Sequence, residues 1–175
     1  YEGGLDLYRP KTKTIKNYKL DPENQNSLFS HKISYLLYDS LQRLWIGTRG
    51  SGLYQYDGEK DSFKSLIENK GRYHLPSKFV NYIFQDHKQN IWVASSEGIY
   101  LLRKAGSTFS KIKSLGTVNC IQEDRNGLIW FGSSIDGLLS YNPATKNLTT
   151  YNQEKGLPSN NVTSIVEDNE GYLWI

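Results

Sequence analysis

The stretch EDRNGLIWFG at residues 123–132 occurs, in altered form, three more times: as YDSLQRLWIG at 38–47, QDHKQNIWVA at 85–94 and EDNEGYLWI at 167–175. In every copy an aspartate stands six residues before a tryptophan: Asp39 and Trp45, Asp86 and Trp92, Asp124 and Trp130, Asp168 and Trp174. Six residues before each aspartate stands a β-branched residue, Ile33, Val80, Val118 or Val162. The tryptophans lie 47, 38 and 44 residues apart, close to the roughly 40–45 residues of a four-stranded propeller blade. The chain is therefore read as a repeat protein.

Around this register the unit divides into four short strands, clearest in ISYLLYD, RLWIGT, GLYQYD and SFKSL. Each alternates apolar and polar residues with a period of two and is rich in β-branched and aromatic side chains. The aspartate opens four or five polar or glycine residues, a tight hairpin in which Asp bonds its own backbone and Gly takes positive φ. Small residues lead from the second strand to Gly52-Leu53, Gly98-Ile99 and Gly137-Leu138, and Gly4-Leu5 supplies the same step near the N-terminus. No apolar pattern of 3.6 periodicity persists for about ten residues, so almost no helix is expected.

A lone four-stranded sheet with two apolar faces must stack on another, and the radial solution is an all-β propeller of antiparallel blades. Each Trp is expected to wedge between adjacent blades, its indole N–H finding a backbone acceptor. The blades are assigned to 33–67, 80–113 and 118–151, with half blades at 1–20 and 161–175. The total is four blades' worth. The first expectation is part of a larger propeller, the second self-association through open blade edges, and the third a closed four-blade ring.

The remaining composition narrows the function classes. With 21 basic and 18 acidic residues in 175, a net charge of +3 and no Lys/Arg block, no nucleic-acid footprint stands out. No run approaches the roughly 18 apolar residues that cross a bilayer. There is no Met, and Tyr1 already lies inside a repeat, so an excised piece of a longer protein is expected. Cys120, the single cysteine, alternates with apolar neighbours and reads as a small core residue.

The phrase GLPSNNVTSIVEDNEGYLWI at 156–175, preceded by IWFGSSIDGLLSYNPATKNLTTY, resembles the two-component regulator propeller repeat, and the likeness extends over nearly the whole chain. The resemblance implies the periplasmic sensor region of a hybrid two-component histidine kinase, without enzymatic turnover in this segment. It further implies oligosaccharide ligands from polysaccharide breakdown and control of the genes that use them. The other expected parts are more propeller, an immunoglobulin-like domain, and a membrane span and kinase, so that the membrane is met only through segments outside this chain. The second full copy departs from the pattern, with Ala94 for Gly, Arg103 for Asp or Asn, and a short SLGT in place of the Leu-Pro loop.

In a propeller the loops joining strands two to three and four to one share a face, and binding residues belong where a repeat varies. The first set of loops offers Arg49, Glu97 and Asp136. The second set offers Arg72, Tyr73, His74 and Lys78, then Lys155, Asn160 and Asn161. Arg and Lys beside Tyr and Asn suit a polyol or acidic sugar. No cofactor is expected.

Catalytic readings are weaker. Glu123-Asp124 and Glu167-Asp168 pair carboxylates as glycosidases do, but the aspartate recurs at the hairpin of every copy and its neighbour points to the opposite face. His31, His74 and His87 show no metal spacing. GTRGSG lacks the Lys and helix of a phosphate loop, and DRNG and DNEG lack the further ligands of a calcium loop. GLIWF also resembles the repeats of propeller lyases that open lactone antibiotics, so a propeller lyase or glycosidase stands as the rival, and a ligand-free scaffold as a third possibility.

Overall fold

The computed structural model describes residues 4–21, 27–28, 30, 32–67 and 74–175. Three four-stranded antiparallel meanders follow one another. The first holds β3 (Ile33–Tyr38), β4 (Leu44–Thr48), β5 (Leu53–Asp57) and β6 (Ser62–Ser65). The second holds β7 (Val80–Gln85), β8 (Ile91–Ser95), β9 (Gly98–Leu102) and β10 (Ser110–Lys113). The third holds β11 (Val118–Glu123), β12 (Ile129–Ser133), β13 (Leu138–Tyr141) and β14 (Leu148–Tyr151). Two-stranded sheets flank them, β1 (Leu5–Arg9) with β2 (Thr14–Tyr18) and β15 (Val166–Glu167) with β16 (Leu173–Trp174). The helical content of the described residues is one 3-10 turn, Gln153–Lys155.

The core lies between sheets. Trp45, Leu53 and Leu66 of the first blade pack with Val80, Ile83, Val93 and Phe109 around the second. Trp92, Ile99 and Leu101 of the second pack with Ile121, Phe131 and Tyr141 of the third. Leu5 and Tyr18 of β1–β2 cover Ile46, Tyr54 and Phe63, and Val162 and Ile165 cover Cys120 and Trp130 at the other end. Fully burying each such side chain stabilises by about 1.5–3 kcal/mol. Trp45 and Trp92 are completely buried, whereas Trp174 is 64% exposed because no further sheet packs on β15–β16 among the described residues. Burial also pushes the Cys120 thiol up to about 11, as expected of a core cysteine.

The indole partner differs from the expected backbone acceptor. Each Trp Nε1 donates to the aspartate carboxylate six residues upstream: Trp45 to Asp39 (2.7 Å), Trp92 to Asp86 (2.9 Å), Trp130 to Asp124 (2.8 Å) and Trp174 to Asp168 (2.7 Å). The other carboxylate oxygen takes backbone amides of the hairpin, as Leu41 and Arg43 donate to Asp39 Oδ1. A charged acceptor is the stronger choice for a buried N–H, and one side chain thus holds both turn and wedge. The expected glycine at the hairpin's left-handed position is present in two copies, Gly127 and Gly171; Gln42 (φ 61°) and Gln89 (φ 64°) adopt it in the others.

The first strand of each four-stranded blade carries a β-bulge at the residue after its β-branched start, since the register slips between Ile33 and Tyr35, Val80 and Tyr82, and Val118 and Cys120. Bulges re-aim a side chain. Here the bulged residue donates across to the next blade: Ser34 Oγ to Val80 O (2.5 Å), Asn81 Nδ2 to Val118 O (3.0 Å) and Asn119 Nδ2 to Val162 O (2.9 Å). First strands of successive blades are thereby stitched side by side, as the innermost strands of a propeller.

Candidate functional site

The two ends of the stacked blades differ in chemistry. At the hairpin end, the amide following each aspartate donates to the side chain that precedes the next blade's aspartate. Ser40 N meets Gln85 Oε1 (2.9 Å), His87 N meets Glu123 Oε2 (2.8 Å) and Arg125 N meets Glu167 Oε2 (2.8 Å). The His87 ring also contacts Glu123, and Arg125 Nε pairs with Glu167 at 2.7 Å. A cavity of about 450 Å³ opens here between His87, Glu123, Arg125 and Glu167, but the charges around it already serve each other. Glu123 and Asp124, the paired carboxylates of the glycosidase reading, are committed to the His87 clamp and to the Trp130 hairpin.

At the loop end, the hydroxyl closing each second strand organises the following turn. Thr48 Oγ1 donates to Gly52 O, Ser95 Oγ to Gly98 O and Ser133 Oγ to Asp136 Oδ2. The glycine is demanded by close approach: a Cβ on Gly137 (φ 85°) would lie 2.2 Å from Tyr151 O, and one on Gly98 2.1 Å from Lys113 O. At the start of the turn, the backbone N–H of Arg49, Ser96 and Ser134 donates to the carbonyl of Lys32, Phe79 and Thr117.

These turns and the bulged first strands enclose a cavity of about 510 Å³ across successive blades. Its lining includes Arg49 and Phe79, which bridge to each other, and Asn81, Asn119 and Thr163. Arg49 is exposed and faces no carboxylate within ion-pair distance among the described residues, in contrast to Arg43 and Arg125, which pair with Asp39 and Glu167. Phe79 is 48% exposed. Asn81 and Asn119 each use one amide hydrogen on a neighbouring carbonyl, and their Oδ1 atoms accept no hydrogen bond from a described residue. The arrangement offers one cation, one aromatic face and a row of amides and hydroxyls, a set that suits a polar ligand carrying an apolar face.

Of the residues singled out in the sequence, Arg49 alone lines this groove. Lys78 has an exposed side chain, and its carbonyl receives Gly50 N and Gly52 N. Glu97 receives Ser77 Oγ at 3.4 Å. Asp136 is tied to Ser133 Oγ and Gly116 N, and Asn160 Oδ1 to Gln153 N. His74 buries an Nδ1 that meets no partner among the described residues, and Arg72, Tyr73 and His31 lie outside those residues. Phe79, Asn81, Asn119 and Thr163 were missed, although one signal was available. The residue after each β-branched start is Ser34, Asn81, Asn119 or Thr163, small and polar in all four copies. Among the described residues, no group of three His, Cys, Asp or Glu side chains comes together as metal ligands, and no helix is long and apolar enough to cross a membrane.

Comparison with known proteins agrees with this architecture. The two-component regulator propeller family matches residues 74–97, 113–134 and 156–175. The chain is similar to histidine kinase P4 of Formosa agariphila, 30% identical over 209 aligned positions covering 88% of this chain and 15% of that protein. It superposes on the extracellular domain of a putative one component system from B. thetaiotaomicron with a TM-score of 0.80, 19% identity, and coverage of 99% of this chain and 23% of that one. A gluconolactonase from Xanthomonas campestris shares the fold at a TM-score of 0.60 and 14% identity, over 81% of this chain and 55% of that one. The chain thus spans a small part of its curated relative. Four copies of the Asp–Trp hairpin, blades stitched through bulged first strands and three stretches matched by one family agree: the chain carries two-component regulator propeller repeats.

Proposed function

We propose that this chain is part of the extracytoplasmic, periplasmic sensor propeller of a hybrid two-component receptor, and that it recognises an oligosaccharide released by polysaccharide breakdown. The observation that carries the reading is the groove at the loop end, where Arg49 and Phe79, which the repeat itself does not require, stand with the stitching Asn81 and Asn119 over three successive blades. The matched repeats and the histidine kinase relative support the receptor context. In that context the remaining blades, an immunoglobulin-like domain and a membrane span complete the protein, and ligand occupancy shifts a signalling equilibrium that controls sugar-utilisation genes.

The test is thermal unfolding of the complete propeller with a panel of neutral and acidic oligosaccharides, followed by product analysis of every sample. Binding to the folded state raises the melting temperature by mass action. A rise with one class of oligosaccharide and no product supports the sensor reading. A flat response throughout, or the appearance of cleaved product, overturns it.

A further inference from the structure

The groove carries information on the charge of its ligand. The position occupied by Arg49 is filled by Ser96 and Ser134 in the next two blades, and the backbone N–H of all three makes the same bond to the preceding first strand. The repeat therefore needs the backbone here and not the guanidinium. A long cation at a position where serine suffices, with no carboxylate within ion-pair distance among the described residues, is left to a partner from solution. The neighbouring residue shows the same pattern: Arg49 bridges to Phe79, and where Phe79 stands beside one first strand, Thr117 stands beside the next. Arg49 and Phe79 are thus two departures from the repeat, adjacent to each other and exposed together at the mouth of the groove.

We infer that the groove selects an acidic oligosaccharide, with Arg49 pairing to a uronate carboxylate or a sulfate ester, Phe79 lying against the apolar face of a sugar ring, and the Oδ1 atoms of Asn81 and Asn119 accepting from ring hydroxyls. Arginine matches such oxyanions bidentately, and a guanidinium beside an aromatic face suits a sugar that is charged at its rim and apolar on its plane. The cavity at the hairpin end does not compete, because its basic side chains, His87 and Arg125, already meet Glu123 and Glu167. This inference rests on the oligosaccharide reading above and adds the ligand's charge.

The experiment is titration calorimetry of the complete propeller, as wild type, Arg49→Ser and Arg49→Lys, with three anionic probes: tetragalacturonate, an alginate tetramer and a sulfated galactan tetramer. Each is paired with its neutral counterpart, methyl-esterified or desulfated. At least one acid is expected to bind about ten-fold or more tightly than its neutral counterpart, and Arg49→Ser to remove that preference while leaving the melting temperature unchanged; the estimate follows from the usual strength of a charged hydrogen bond. Arg49→Lys should restore part of it. If a neutral probe binds as tightly as its acid, or the preference survives in Arg49→Ser, the charge assignment fails and the sensor reading stands. If no probe of either kind binds, both fail.

Discussion

The hairpin end and the loop end of these blades are built from the same strands but with different rules. At the hairpin end the recurring carboxylates and the side chains before them are committed inside the protein: Asp39, Asp86, Asp124 and Asp168 hold their turns and their tryptophans, and Gln85, Glu123 and Glu167 clamp the hairpin of the blade before. At the loop end the backbone bonds and the strand-closing hydroxyls repeat while the residue after the hydroxyl does not, and Arg49, Ser96 and Ser134 share one backbone role with different chemistry. One end is specified by the architecture and the other is left free to vary. A repeat protein can therefore alter its ligand without altering its ring.

The largest expected effect breaks the hairpin end. Asp86→Ala removes the acceptor of the Trp92 indole and of the Asn90 amide, leaving buried donors unpaired at a cost of about 3 kcal/mol. Arg49→Ala, at the loop end, should stay within about 0.5 kcal/mol of wild type, as exposed substitutions usually do. Urea unfolding of the two variants measures the difference directly, and similar losses would erase the distinction between the ends.

Acid sharpens the same contrast. Burial pushes the Asp39 carboxyl upward, but the Trp45 indole and the backbone, side chain and charge of Arg43 together outweigh it and hold the group below the usual carboxylate range. A carboxylate with a depressed folded pKa contributes stability that is fully present above its unfolded value of about 3.9 and is lost as pH falls through that value towards the folded one. The melting temperature should thus hold down to about pH 4.5 and drop below it, and Asp39→Asn should make the drop shallower. An unchanged slope in that variant would remove Asp39 from the account.

Smaller effects come from the clamps and the turns. Glu123→Ala loses the bond from His87 N, worth about 1 kcal/mol at a partly exposed site. Gln42→Gly and Gln89→Gly relieve left-handed backbone. Each should gain roughly 0.5 kcal/mol, the relief exceeding glycine's greater unfolded freedom. Calorimetric melting of the three variants ranks them, and destabilisation by either glycine would mean that those turns are held by more than backbone geometry.

The blade was legible because its strongest signals are local: Asp and Trp six residues apart share one hairpin, and the β-branched start marks the inner strand. The Asp–Trp bond was hidden because a tight hairpin by itself accounts for an aspartate at that position. The clamps were hidden for another reason, since Ser40–Gln85, His87–Glu123 and Arg125–Glu167 each join two repeats and vary between amide and acid. The groove was half legible. Arg49 stands out as a loop residue that varies, whereas Asn81 and Asn119 sit inside strands, where alternation assigns them only an outward face. The bulge that re-aims them is not written in the local pattern, because it arises from pairing with β8 and β12.

Hydrogen–deuterium exchange of the complete propeller, with and without the tightest-binding acidic tetramer, addresses the division of labour most directly. Slowed exchange at 79–81, 96–97 and 117–119, with no change at the 86–90 and 124–128 hairpins, is the result the account predicts. Protection centred on those hairpins, or none at any of these segments, would contradict it.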